Sequence, residues 1–89
     1  MDPVEPEIEF RWKEDLVYWE GDRGFVFDGA WGSDPLQTFV PTEAAWDLVV
    51  PHWLAGRRRE VMERLAAEPA HVVRPDPDFR AAPERELHR

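Results

Sequence analysis

Residues 16–31, LVYWEGDRGFVFDGAW, decide how this chain folds. The stretch contains most of two runs rich in aromatic and β-branched residues, 15–20 and 24–30, which are typical of β-strands. Between them, the residues GDRG at 21–24 predict a tight turn in which Gly24 supplies a positive φ. Both faces of the first run are apolar, so we expect that run to lie in the middle of a sheet.

The segments on either side extend the sheet and then change character. Residues 7–12, EIEFRW, alternate between polar and apolar side chains, which predicts a half-buried strand, and residues 36–40 predict a short fourth strand. From Thr42, a residue type favoured at helix N-caps, apolar residues recur at helical spacing as far as Leu54. Pro51 interrupts this helix and predicts either a kink or two abutting helices that both pack on the sheet. A second helical pattern covers residues 57–68, and residues 71–73 predict an edge strand.

These patterns predict an α+β fold with an antiparallel sheet of three to five strands. The first three strands form a meander, and two consecutive helices cover one face of the sheet. Residues 1–6 form an extended lead-in, and residues 7–73 form a single domain. Residues 74–89, RPDPDFRAAPERELHR, are charged and rich in proline, so we expect a disordered or extended C-terminal tail.

The composition limits the class of protein. The 89 residues have room for one domain, whose core depends on five Trp, five Phe and one Tyr. There is no cysteine, which excludes disulfides and thiolate metal sites. The N-terminus lacks the basic and apolar segments of a signal peptide, and no apolar run approaches the roughly 20 residues of a membrane span. We therefore expect a cytoplasmic protein, and the Arg-, Ala- and Pro-rich composition suggests a bacterial one.

The net charge of −8 lies mainly in the first half of the chain. Such a field repels nucleic acid and attracts a basic protein. The run Arg57, Arg58 and Arg59 does not reverse this expectation, because Glu60 and Glu63 lie three and four residues away on the same predicted helix.

No stretch carries a complete catalytic, metal or nucleotide motif. The three histidines do not have metal-ligand spacing, and the only serine, Ser33, is not in a nucleophile context. There is also no glycine-rich phosphate loop. We therefore predict no catalytic residue, no metal and no cofactor.

Two kinds of residue are candidates for partner binding. Trp31 lies in a predicted loop, where an exposed tryptophan is a common interaction hot spot, although it could instead cap the core. The acids on and near the first hairpin could form a solvated face, a catalytic carboxylate pair or a surface for a basic protein. In the tail, Phe79 is an apolar anchor that could become ordered on a partner. The predicted partner-binding residues are Trp31, Asp28, Glu7, Glu9, Glu20, Asp22 and Phe79.

The function that these features favour is a small, non-enzymatic, acidic module that binds a basic protein. An immunity protein or an inhibitor is its most concrete form. One alternative is an accessory subunit that docks into a larger assembly through its C-terminal tail. The other is a small-ligand carrier or an enzyme with a carboxylate pocket on the sheet.

Overall fold

The chain folds around one mixed β-sheet. The computed structural model describes residues 6–11, 15–30, 32 and 35–89, so the predicted lead-in up to residue 5 and Trp12 lie outside the described residues. In chain order the elements are β1 (Pro6–Arg11), β2 (Asp15–Glu20), β3 (Arg23–Ala30), β4 (Leu36–Pro41), α1 (Trp46–Val49), α2 (Arg58–Ala66), β5 (His71–Asp76), a 3₁₀ helix (Pro83–Arg85) and β6 (Glu86–His88).

The topology differs from the predicted one. The strands lie in the order β1-β2-β3-β4-β5, and β6 pairs with the first part of β3. β1 to β4 form an antiparallel meander, but β5 pairs with β4 in parallel. A parallel pair needs a crossover connection, and α1 and α2 lie in that connection. The prediction of an antiparallel sheet of three to five strands under two helices is therefore wrong: the described residues form a mixed sheet of six strands.

The first predicted helix is only one turn long. It begins at Trp46 with Ala45 at the N-cap, so the predicted N-cap at Thr42 is wrong. Thr42 lies in the preceding turn, where its carbonyl oxygen accepts hydrogen bonds from the N–H groups of Ala45 and Trp46 at 3.1 and 2.9 Å. It ends at Val49 because a proline ring disfavours the helical conformation of the residue before it, and Val50 precedes Pro51. Val50 is extended, with φ −93° and ψ 157°. The proline thus ends the helix, and neither a kink nor a second abutting helix follows, because residues 52–56 form turns. α2 is the one described helix longer than a turn.

The turn between β2 and β3 is tighter than predicted. Glu20 pairs directly with Arg23, so the loop is the two residues between them, and the positive φ of 65° is at Gly21. Gly24 instead lies within β3, opposite Trp19. A Cβ atom at position 24 would lie 2.7 Å from Cε3 of Trp19. Glycine is needed there because the indole ring packs directly against the strand backbone.

One face of the sheet forms the core with the crossover segments. Leu16, Tyr18, Phe25 and Phe27 point to this face and are at most 1% exposed. The ring of Phe27 stacks on that of Trp46, with 6.2 Å between centroids. Each buried aromatic side chain removes about 150–250 Å² from water, so these rings supply much of the apolar burial of a small domain. The same cluster includes Val40, Leu54, Val61, Leu65 and Phe79.

The C-terminal segment, for which the sequence predicts a disordered or extended tail, packs on the sheet. Phe79, a predicted partner-binding residue, is 6% exposed, and its ring centroid lies 6.4 Å from that of Phe25 and 6.1 Å from that of Phe27. Further along, β6 pairs with residues 23–25 of β3. The prediction considered only the low apolar content of the segment itself. The aromatic side chains Phe25 and Phe27, on which Phe79 packs, belong to a distant part of the chain and do not enter that local argument.

Candidate protein-binding surfaces

The predicted partner-binding acids do not lie together. Side chains alternate along a strand, so Glu7, Glu9 and Asp28 share the sheet face opposite the core, here named the outer face. Glu20 lies on the core side, and Asp22 lies in the exposed turn after β2. Only three of the five acids therefore share a surface. The remaining surface candidate, the loop residue 31, lies outside the described residues.

The acids on β1 are paired with arginines. Glu7 forms a salt bridge with Arg89 at 2.9 Å, and Glu9 forms one with Arg11 at 2.9 Å. The hydrogen bond from Arg89 lowers the pKa of Glu7, and hydrogen bonds from Arg11 and Trp19 lower the pKa of Glu9. Both carboxylates are therefore charged and partnered at neutral pH, which weakens the negative field that the outer face offers to a basic protein.

Asp28 is held by Arg85, which fastens the C-terminal segment to the middle of β3. The guanidinium donates to both carboxylate oxygens of Asp28, at 2.9 and 3.0 Å, and to the carbonyl oxygen of Val26 at 3.0 Å. Val26 lies between the part of β3 that pairs with β6 and the part that pairs with β4. Arg85 therefore donates a hydrogen bond to a backbone carbonyl group whose residue pairs with neither β4 nor β6. The guanidinium also lies 4.0 Å from the ring centroid of Phe79, a cation–π contact.

Trp19 is buried on the outer face beneath charged side chains. Its Nε1–H donates to Glu9 at 2.8 Å, and its ring lies against Gly24. The guanidinium of Arg89 lies 4.5 Å from the ring centroid, and only 2% of Trp19 is exposed. Arg11 also lies over this ring, with its guanidinium 5.8 Å from the centroid, so on the outer face Glu9 fixes the indole and two arginines cover it.

The densest charged cluster ties α2 to β2. Glu20 accepts hydrogen bonds from Arg57 at 2.9 and 2.7 Å and from the hydroxyl of Tyr18 at 2.5 Å. Arg64 donates to the hydroxyl oxygen of Tyr18 at 2.8 Å and to Glu20 at 3.2 Å. Glu60 forms salt bridges with both arginines. The sequence predicts the pairing of the arginine run with Glu60, because the spacing is helical, but gives no signal for Glu20.

Burial and hydrogen bonding move the pKa values of Tyr18 and Glu20 in this cluster away from neutral pH. Burial, helped by the hydrogen bond to Glu20, raises the pKa of Tyr18 to about 12, although Arg64 acts in the opposite direction. Burial by itself raises the pKa of Glu20, but hydrogen bonds from Arg57 and Tyr18 outweigh it and leave this pKa below its usual value. A general acid or base works best with a pKa near the working pH. The hydrogen bonds of Arg57 and Arg64 to Glu20 and Tyr18 attach α2 to β2.

A second buried polar pair joins β4 to β5. The hydroxyl oxygen of Thr38 lies 2.6 Å from Nδ1 of His71, and Nε2 of His71 lies 2.7 Å from the carbonyl oxygen of Leu65. A carbonyl oxygen can only accept, so Nε2 carries a proton and donates it to this bond. His71 is 7% exposed and Thr38 is fully buried, so the pair holds the parallel strands and the end of α2 together.

An apolar groove opens where the C-terminal segment passes the connection between the helices. Its volume is about 320 Å³. Leu48, next to it in the chain, is 83% exposed. The apolar lining includes Val49, Val50, Pro51, Ala81, Ala82 and Pro83. This groove together with Leu48 is named the Leu48 groove. The sequence patterns do not predict this groove, because they place Val49 and Val50 in the apolar stripe of a helix and residues 81–83 in the tail.

Among the described residues, no three His, Asp or Glu side chains are grouped so that they could hold a metal ion. In the same part of the chain, no helix is long and apolar enough to cross a membrane. Comparison with known proteins finds no protein family, no curated protein and no solved structure that matches this chain.

Proposed function

We propose that this chain is a non-enzymatic protein-binding module that holds a basic partner against the Leu48 groove. The observation that carries the proposal is the exposure of Leu48, the one large apolar side chain among the described residues that is mostly in solvent. A single exposed leucine is common on protein surfaces. Leu48 differs because the next three residues of the chain, 49–51, line an apolar groove. Exposed apolar surface that extends beyond one side chain is typical of interaction sites.

The charges around the groove favour a basic partner. Glu86 lines the groove and is exposed, and Glu84, which directly follows the lining residue Pro83, is exposed as well. Arg80 is the exposed base nearby in the chain, while Arg85 is held by its own bidentate contact with a carboxylate. An acidic rim on a chain of net charge −8 speeds the approach of a basic protein and selects against acidic ones.

The packing of the C-terminal segment favours an inhibitor or immunity protein over an accessory subunit. The alternative of an accessory subunit that docks through its tail requires a free C-terminal segment. The structure instead describes that segment as packed on the sheet, with Phe79 in the core. An inhibitor or immunity protein that blocks a basic enzyme agrees with the proposal, since it needs only a complementary surface. The cytoplasmic location expected from the composition is part of the same proposal.

The test compares capture of partners by two charge-matched variants. Leu48→Asp adds a carboxylate at the groove, and Ala67→Asp adds the same charge at an exposed position outside its lining. We expect a basic protein to co-purify with the wild type and with Ala67→Asp. Its recovery should fall at least about tenfold with Leu48→Asp, which corresponds to about 1.4 kcal/mol of binding free energy. Equal recovery with both variants, or an acidic partner, would contradict the proposal.

A further inference from the structure

The two walls of the Leu48 groove are fixed in different ways. On one wall, Val49 and Val50 pack against the hydrophobic core. On the other wall, Ala81 and Pro83 are exposed, and residues 77–82 belong to no helix or strand. Exposed side chains contribute little burial, so the position of this second wall depends on the contacts made by the residues on either side of it.

Arg85 closes the segment that forms the second wall. Its Nε–H donates to the carbonyl oxygen of Arg80 at 2.7 Å, and its backbone N–H donates to the carbonyl oxygen of Ala82 at 3.1 Å. These two hydrogen bonds fold residues 80–85 into a loop, and the residues of the second wall lie within that loop. The position of the wall therefore depends on where the Arg85 side chain is held.

The Arg85 side chain is held on β3. Its guanidinium donates to both carboxylate oxygens of Asp28 and to the carbonyl oxygen of Val26, and only 13% of the side chain is exposed. A bidentate pair of a guanidinium and a carboxylate has a fixed relative geometry. This geometry sets where the second wall lies relative to β3, although neither charged residue lines the groove.

We infer that Arg85 and Asp28 are positioning residues for the Leu48 groove, and that a basic partner binds tightly only while their ion pair is closed. The inference rests on the proposed function, because it requires that the groove is the binding surface. When the ion pair opens, the second wall is free to move, and fewer chains have the groove in its binding shape. The apparent affinity for the partner falls in proportion to that fraction.

The opposite charges of the two residues separate an effect of shape from an effect of electrostatics. Arg85→Met removes a positive charge, so electrostatics alone would strengthen the binding of a basic partner. Asp28→Asn removes a negative charge, so electrostatics alone would weaken it. Both substitutions break the ion pair, so a change in the shape of the groove weakens binding in both variants. Phe79 and β6 still attach the segment to the sheet, and circular dichroism verifies that each variant is folded.

The test titrates the isotope-labelled full chain with the basic, apolar peptide acetyl-Lys-Leu-Val-Leu-Lys-amide and follows the methyl signals of Val49 and Val50 by NMR. We expect a Kd on the order of 0.1–1 mM for the wild type. Arg85→Met and Asp28→Asn should each bind the peptide at least about fivefold more weakly.

Two exposed residues outside the groove give matched controls. Arg59→Met removes the same charge as Arg85→Met from a side chain that is 94% exposed. Glu63→Gln removes the same charge as Asp28→Asn from a side chain that is 70% exposed. Both controls should bind the peptide within about twofold of the wild type, since exposed charges at a distance are screened by salt.

A second measurement reports the position of the wall without a ligand. The backbone order parameters of Ala81 and Ala82 should be about 0.85 in the wild type and should fall below about 0.6 in Arg85→Met and in Asp28→Asn. Order parameters that do not change would overturn the inference, because the second wall would then be held without the ion pair.

The binding results distinguish failure of this inference from failure of the proposed function. The inference alone is overturned if Leu48→Asp loses the peptide while Arg85→Met or Asp28→Asn binds it as tightly as the wild type or more tightly. If Leu48→Asp binds as well as the wild type, or if the wild type does not bind, the proposed function is contradicted and the inference falls with it.

Discussion

Substitution of Gly24 by alanine tests the packing on the outer face. The Cβ atom of an alanine at this position would lie 2.7, 2.8 and 3.0 Å from three ring carbons of Trp19, where ordinary contacts are 3.4 to 4 Å. The indole cannot easily move away, because its Nε1–H is bonded to Glu9 and Arg89 covers it. The ring or the strand must therefore shift.

Two opposing effects set the size of the change. Overpacking of a well-filled site destabilises a protein by about 1–3 kcal/mol. Alanine in a strand gains roughly 0.5–1 kcal/mol over glycine, because it has less backbone freedom to lose on folding. The clash is the larger effect, so we expect Gly24→Ala to lower the free energy of unfolding by about 1–2 kcal/mol. For a domain of this size, the melting temperature should fall by roughly 5–15 °C.

Urea denaturation and calorimetry measure this change, with Gly32→Ala as the control. A Cβ atom at Gly32 meets nothing within 4 Å, so this variant should be within about 0.5 kcal/mol of the wild type. Trp19→Leu removes the ring that causes the clash. In that background, provided that it folds, adding Gly24→Ala should cost less than about 0.5 kcal/mol. The reasoning is refuted if Gly24→Ala alone is as stable as the wild type, or if its effect is unchanged when the indole is absent.

Three further changes probe other contacts. Tyr18 is the single tyrosine, so tyrosinate absorbance reports it alone: its midpoint should lie near pH 12 instead of about 10 and should fall with Glu20→Gln. Because this pKa is raised in the folded state, the stability it contributes is complete below pH 10 and is lost as the pH rises through 12. Arg85→Met removes the contacts with Asp28 and Val26 and should lower the free energy of unfolding by about 2 kcal/mol in urea denaturation, whereas Arg80→Met, at an exposed position, should change it by less than about 0.5 kcal/mol. Thr38→Val leaves a buried nitrogen of His71 without its hydrogen-bond partner and should lower the free energy of unfolding by about 1–3 kcal/mol, measured by thermal denaturation. A variant as stable as the wild type would show that this hydrogen bond contributes nothing to stability.

Local patterns located the strands closely. Alternation and strand-forming residues predicted strands at 7–12, 15–20, 24–30 and 36–40, and the structure has them at 6–11, 15–20, 23–30 and 36–41. These predictions succeeded locally because each depends on a few neighbouring residues. The predicted helix from Thr42 failed for a local reason as well: the effect of Pro51 on Val50 was underestimated.

The candidate surfaces were far less predictable, because they join distant segments. In the folded chain Arg11 and Arg89 pair with the acids of β1 and so weaken the negative charge of that face. Arg89 is more than 80 residues away from Glu7 in the sequence, so no local pattern predicts this pairing. Likewise, the Leu48 groove forms between residues 49–51 and residues 81–83. The spacing of apolar residues within one segment cannot predict a surface that two distant segments form together.

The sequence by itself determined which residues form the first four strands, the abundance of large aromatic side chains for a small core, and the acidic net charge. These properties follow from side-chain chemistry and short-range spacing. The tertiary structure alone decided that β5 pairs in parallel with β4 and that β6 returns to β3. It also decided that most of the predicted binding acids are partnered within the chain. The physical reason is that strand pairing and ion pairing depend on which distant groups come into contact in the folded chain. Those contacts are set by the burial and hydrogen bonding of the whole fold, and not by any one segment.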